Sequence, residues 1–153
     1  MTTTTSRPVA SPARSFPAAA ATRVVGAVFA LAVGYFHVID QKGFPGQKGD
    51  DSAAYIQVLY YVLEVAAVVA AILLLVKAVK AGWFVALGVA AGPILGYLLS
   101  RGPGLPSYLS DKGHWFGDPG KPFTEFVDTA SFVCEVVLLV LAVAAFARLR
   151  SRR

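Results

Sequence analysis

The sequence predicts an all-α protein, a transmembrane four-helix bundle with both termini on the cytoplasmic side, and three observations predict it. Of 153 residues, 56% are hydrophobic and only 15% charged, and the mean hydropathy is +0.62, a balance outside the range of soluble domains. The apolar residues gather in four blocks, Val24 to Ile39, Tyr55 to Val76, Trp83 to Leu99 and Phe126 to Ala147. The basic residues segregate to alternate segments. The composition excludes a soluble enzyme, a disordered chain and an ordinary secreted domain. A single cysteine, Cys134, excludes an internal disulfide, a Cys-based zinc site and CxxC redox chemistry.

Taken in order, residues 1–21 are rich in Thr, Ser, Pro and Ala without a periodic apolar face, and read as a disordered cytoplasmic tail. The Ala30-Leu31-Ala32 triplet fits a signal-peptide cleavage rule, but the apolar stretch before it is too short for an h-region, so the first block is read as a span. A bilayer core of about 30 Å needs about 20 helical residues. Blocks two and four meet that length, and blocks one and three must borrow flanking residues such as Thr22 and Ser100. The expected transmembrane domain covers 22–148, with spans of about 22–40, 55–76, 83–100 and 124–147, followed by a basic tail at 149–153. Strands are disfavoured by the length and the Ala/Leu content of the blocks, because in lipid only helices or closed barrels satisfy the backbone.

Charge sets the orientation. Arg7, Arg14 and Arg23 precede span one, Lys77 and Lys80 sit in the second loop, and Arg148, Arg150, Arg152 and Arg153 end the chain, with no acid among them. The other two loops and their borders carry five basic residues against seven acids. The positive-inside rule then places both termini in the cytoplasm of a multi-pass membrane protein. The net charge of +5 is a topology signal rather than a nucleic-acid signal, although the Arg-rich C-tail suits anionic lipid. The outer loops, 40–54 and 101–122, are punctuated by Gly and Pro. Tyr108, Trp115 and Phe116 suit an interfacial cap, and Trp83 an anchor at the inner boundary.

Polar residues within the spans are the candidates for function, since each is costly in hydrocarbon. In span two, Gln57, Tyr60, Tyr61 and Glu64 share a face at 100° per residue. In span four, Thr124, Asp128, Ser131 and Glu135 follow at spacings of four, three and four. Glu64 and Glu135 each lie nine residues into their block, roughly 14 Å down, and are expected across one interior pocket. Span one places His37 on the face of Gly26, Ala30 and Gly34, with a hydrogen bond to Asp40 or Glu64 expected. Span three ends in Tyr97, Ser100 and Arg101, with Arg101 expected to face Asp128 or Glu135. Beside these runs a small-residue row, Gly88, Gly92, Gly96 and Ser100, of the kind that lets helices pack closely, and Pro93 is expected to kink the span. The polar-pocket candidates are therefore His37, Gln57, Tyr60, Tyr61, Glu64, Tyr97, Arg101, Asp128, Ser131 and Glu135.

Such a cluster reads either as a satisfied structural core or as a site for a proton, cation or small polar ligand entering from outside, built from the usual parts of proton relays and ion paths. An interface with another membrane subunit is a third reading. His37 is the one weak metal or haem candidate, because a second histidine ligand would have to come from His114 in a loop. No metal or other cofactor is expected. No GxSxG, HExxH, Walker or dinucleotide-binding pattern is present, and no intramembrane lysine offers a Schiff base. This argues against an enzyme. The expected function is an accessory or ligand-sensing membrane protein with a buried polar pocket open to the outer face. The alternatives are a small proton-coupled or cation transporter, and a haem-binding protein or membrane enzyme. Expected partners are the lipid bilayer and either further copies of the chain or a membrane complex, with no nucleic acid.

One local pattern extends this reading. Gly96-Tyr97-Leu98-Leu99-Ser100-Arg101, then Gly104-Leu105-Pro106, Gly113, Trp115 and Pro119, with Glu135 in the last span and a histidine near the end of span one, resembles uncharacterised four-span integral membrane proteins of high-GC Gram-positive (actinobacterial) bacteria that carry an S-R-x-x-G-L-P element. The resemblance covers about Gly34 to Leu141. It departs from the pattern at Gly102-Pro103, where a Thr-containing pair is usual, and in a longer first outer loop. It implies the four-span topology and singles out His37, Arg101 and Glu135, without implying an activity.

Overall fold

A computed structural model describes residues 16–40, 54–106, 112–113, 115 and 122–151, with the backbone alone at 16–18 and 122–125. It is an all-α four-helix bundle of α1 (Phe16–Asp40), α2 (Ala54–Leu75), α3 (Val79–Arg101) and α4 (Pro122–Arg150). All four helices are long and apolar enough to cross a membrane, which makes the chain a multi-pass membrane protein. The first outer loop, Tyr108, His114 and Phe116 of the second, the tail residues 1–15 and 152–153 and the side chain of Thr124 lie outside the described residues.

The helices outrun the apolar blocks. α1 begins at Phe16, inside the segment expected as tail. Pro17 suits a first helical turn, and Ala18 to Ala21 are the strongest helix formers. α3 starts at Val79, ahead of Trp83, and runs through Pro93 without ending there. α4 continues to Arg150, placing Arg148 and Arg150 where cations favour the negative end of the helix dipole.

Each helix packs against its sequence neighbours, α4 closes the ring against α1, and α1 also touches α3 across the middle. Among the described residues α2 and α4 do not meet. The bundle has two ends: a terminal end, with the start of α1, the α2–α3 turn and the end of α4, and a loop end with the two long connections.

The terminal end packs through small residues around one large one. Ala27, Ala30, Ala67, Ala70, Ala71, Leu74, Ala86, Val89, Ala90, Leu138 and Ala142 are buried together with Trp83, which is 2% exposed. Trp83 is therefore a core residue and not the interfacial anchor expected of it. Gly26 leaves its room, since a Cβ there would stand 2.5 Å from Trp83 Cη2, and Gly82 lets α3 approach α2, since a Cβ there would stand 2.9 Å from the Leu74 backbone nitrogen. The expected small-residue packing of α3 is corrected too. A Cβ at Gly88, Gly92 or Gly96 meets nothing within 4 Å, because the buried face of α3 runs through Trp83, Ala86, Val89 and Ala90. Three of the four small residues look outward, and Ser100 alone is buried.

The α2–α3 turn is minimal. The Ala78 amide donates to the Leu73 carbonyl at 2.9 Å, the six-to-one bond of a Schellman cap, with Lys77 in the left-handed conformation at φ 68° where glycine is usual.

Candidate functional site

The loop end is polar where the terminal end is apolar. On α1 the buried row Ala27, Ala30, Val33 and Gly34 continues to His37, one turn from the helix end. The His37 Nδ1–H donates to the Val33 carbonyl at 2.9 Å. That bond fixes the ring and leaves Nε2 to face α4.

On α4 the buried row is Val127, Ser131, Glu135, Leu138 and Ala142. Its spacing of four and three keeps polar and apolar residues on one face, so Glu135 is carried inward with Leu138 and is only 3% exposed. The Ser131 hydroxyl donates to Glu135 Oε1 at 2.8 Å. The same oxygen lies 3.8 Å from His37 Nε2. His37, Ser131 and Glu135 thus form one buried cluster joining α1 to α4.

A second pair joins α3 to α4. Arg101, 7% exposed, donates through a terminal guanidinium nitrogen to Asp128 Oδ2 at 2.6 Å. Of the two carboxylates expected to face it, Asp128 is the one it bonds, since it lies nearer the loop end of α4. The guanidinium carbon stands 5.2 Å from the Tyr97 ring centre, within cation–π range, and Tyr97 packs on Phe132 with ring centres 5.0 Å apart. The α3–α4 connection folds back onto this pair. The Tyr97 hydroxyl donates to the Trp115 carbonyl, and the Gly113 amide to the Arg101 carbonyl at 2.7 Å. Trp115 lies half exposed there.

α2 supplies an outer layer. The Tyr60 hydroxyl donates to Asp40 Oδ2 at 2.6 Å, and its ring stands edge-on to His37 at 5.2 Å between centres. Asp40, one of two hydrogen-bond partners expected for His37, thus accepts a hydrogen bond from a tyrosine, while the His37 Nδ1–H bonds its own helix. Gln57 Nε2 donates to the Tyr61 hydroxyl along α2 at 3.0 Å, and Tyr55 reaches the Pro106 carbonyl at 2.7 Å.

Of the ten candidates, His37, Tyr60, Ser131 and Glu135 come together, and Tyr97, Arg101 and Asp128 form the neighbouring group. Gln57 and Tyr61 bond each other at the rim. Glu64 is half-buried on α2, beside Gly34 of α1. Glu64 and Glu135 therefore stand on helices that lie across the bundle from each other, without a backbone approach between them. Phe132 and the Val33 carbonyl are the contributors that sequence reasoning missed. Phe132 sits one residue after Ser131 and carried no polar signal, and no side-chain pattern marks a backbone acceptor.

Chemically the cluster can hold a proton. With Nδ1–H fixed on a carbonyl, a proton gained at this site would go to His37 Nε2 or to the Glu135 carboxyl, which stand 3.8 Å apart, an ion-pair approach rather than a hydrogen bond. Ser131 can bond the carboxyl in both forms. Among the described residues no three His, Cys, Asp or Glu side chains converge on a metal-sized space. Comparison with family models, with characterised proteins and with solved structures finds no match.

Proposed function

We propose that this chain is a membrane sensor or accessory protein whose buried His37–Glu135–Ser131 cluster responds to protons or a small polar cation arriving from the loop end. It would lie in a bacterial cell membrane with both termini in the cytoplasm. The observation that carries the reading is the His37 Nε2 to Glu135 Oε1 approach of 3.8 Å, between side chains 10% and 4% exposed. Ionisable groups buried inside a membrane-spanning bundle are functional candidates by default. The orientation is supported by the nine basic residues and absence of acids in the tails and the α2–α3 segment. Kinship with the four-span proteins sharing the Ser-Arg…Gly-Leu-Pro element belongs to the same proposal and adds no activity to it.

The test is a pH scan from about 4 to 8, spanning the ordinary carboxylate and histidine ranges. Intrinsic tryptophan emission and the infrared carboxyl stretch of the detergent-purified protein are followed in wild type, Glu135→Gln and His37→Gln. The expected result is a titration in wild type that both substitutions abolish, with the melting temperature retained in Glu135→Gln. A pH response that persists unchanged in both variants would overturn the proposal.

A proton-coupled transporter is the second reading, favoured by one observation. Asp40 at the exposed end of α1, Tyr60, His37 and Glu135 make a continuous row from the helix end into the core. Proton flux in liposomes that requires His37 and Glu135 would select this reading over sensing.

A further inference from the structure

The terminal end carries a feature the polar cluster does not explain. Between the first turn of α3 and the last turns of α4 lies an open groove of about 220 Å³, lined by Lys80, Phe146, Leu149 and Arg150. Two cations from different helices flank an apolar floor. Its apolar side continues along α4 through Val143 and Val140, both exposed on the lipid-facing surface. Among the described residues no acidic side chain lies within two turns of this end on any helix to compete for the cations. The first amides of α3 lack a side-chain cap and add partial positive charge.

We propose that this groove binds the headgroup of an anionic phospholipid. Its phosphodiester sits between Lys80 and Arg150, and an acyl chain lies along Phe146 and Val143. Charge complementarity selects the headgroup. The apolar floor running onto the lipid face selects a membrane lipid over a soluble phosphate, which would leave Phe146 and Leu149 without a partner. The proposal is independent of the His37–Glu135 reading and of the orientation of the chain.

The experiment uses the full chain purified in maltoside detergent. Lipid retention is read by native mass spectrometry against added phosphatidylglycerol or phosphatidylcholine. The variants are Lys80→Gln/Arg150→Gln in the groove and Lys77→Gln/Arg148→Gln as a control, since Lys77 and Arg148 are exposed and do not line the groove. Each cation near an anionic lipid contributes about fivefold in affinity, so the groove pair is expected to lose about thirtyfold in phosphatidylglycerol retention. The control pair should stay within about threefold of wild type, and phosphatidylcholine should bind weakly throughout. Arg150→Gln alone, with about a fivefold loss expected, serves if the double variant does not purify as a folded protein. Equal losses in both double variants would mean a diffuse basic surface and overturn the site. So would equal retention of the two lipids by wild type, or displacement of the lipid by millimolar glycerol 1-phosphate.

Discussion

Trp83 and Arg101 sit near opposite ends of α3, both buried, and they hold the bundle by different physics. Around Trp83 the helices approach through glycine and alanine, and cohesion comes from close packing. That is the main force available between helices in lipid, where apolar surface gains little by leaving an apolar solvent. Around Arg101 the cohesion is a paired charge and oriented hydrogen bonds, which are strong only while each partner is present. The packed end is closed by a three-residue turn between α2 and α3, whereas the polar end carries both long connections. One bundle thus joins a closely packed apolar base to a polar region held by paired side chains.

The largest effect that would break this contrast is expected at Arg101. Removing one member of a buried ion pair leaves a charge stranded and costs about 3–5 kcal/mol, while removing both costs less. Thermal melts of Arg101→Ala, Asp128→Asn and the double variant should therefore be clearly non-additive. Additive losses would mean that solvent or detergent already reaches the pair, and that the polar end is looser than its distances imply.

At the packed end Trp83→Ala comes next, at about 3 kcal/mol, from the cavity left inside closely packed helices. The loss should be insensitive to pH and salt, unlike the loss at Arg101. A salt-dependent Trp83→Ala would blur the two mechanisms into one.

The contrast also explains which features could be read from the sequence. Four helices were legible because apolar blocks of this length have few other solutions in lipid. The inward row Asp128, Ser131 and Glu135 was legible because its spacing is the helical repeat, and so was the placing of His37 on the Gly26–Ala30–Gly34 face. Adjacency between helices was not, since periodicity gives each helix a face and says nothing of what stands opposite. Glu64 and Glu135 share a depth by counting residues, yet α2 and α4 lie on the open diagonal. Trp83 resembled an interfacial anchor by position alone. Its burial depends on Gly26, 57 residues away in sequence. The outward turn of Gly88, Gly92 and Gly96 was likewise hidden, because small residues mark a packing face and the absence of one equally well.

A smaller and more local comparison follows from those glycines. Gly26→Ala puts a Cβ 2.5 Å from Trp83 Cη2. It should destabilise by about 1–3 kcal/mol through overpacking. Gly92→Ala places its Cβ in open space and should stabilise by roughly 0.5–1 kcal/mol, the ordinary gain for alanine over glycine inside a helix. Opposite signs for one chemical change on two helices would localise the packing to the α1–α3 contact. Equal destabilisation would show that the Gly92 face is covered.

The smallest effect is expected at Lys77 and sharpens the comparison from the packed end. Its left-handed backbone costs a side-chain-bearing residue about 1 kcal/mol, which glycine avoids. Glycine also gives back part of that gain through the greater freedom of the unfolded chain. Lys77→Gly should therefore raise the melting temperature slightly, by a few tenths of a kcal/mol, while Lys77→Ala, which keeps the Cβ, should not. A lysine where the left-handed backbone favours glycine keeps a charge in the turn at a small cost in stability, and the proposed orientation gives that charge a use. In that case Lys77→Gly, combined with Lys80→Gln to empty the turn of charge, should weaken the cytoplasmic bias of a reporter fused after Gly82 even as the isolated bundle melts no lower. If the glycine variant melts lower than wild type, the Lys77 side chain itself holds the turn, and the packed end depends on a surface contact as well as on its buried core.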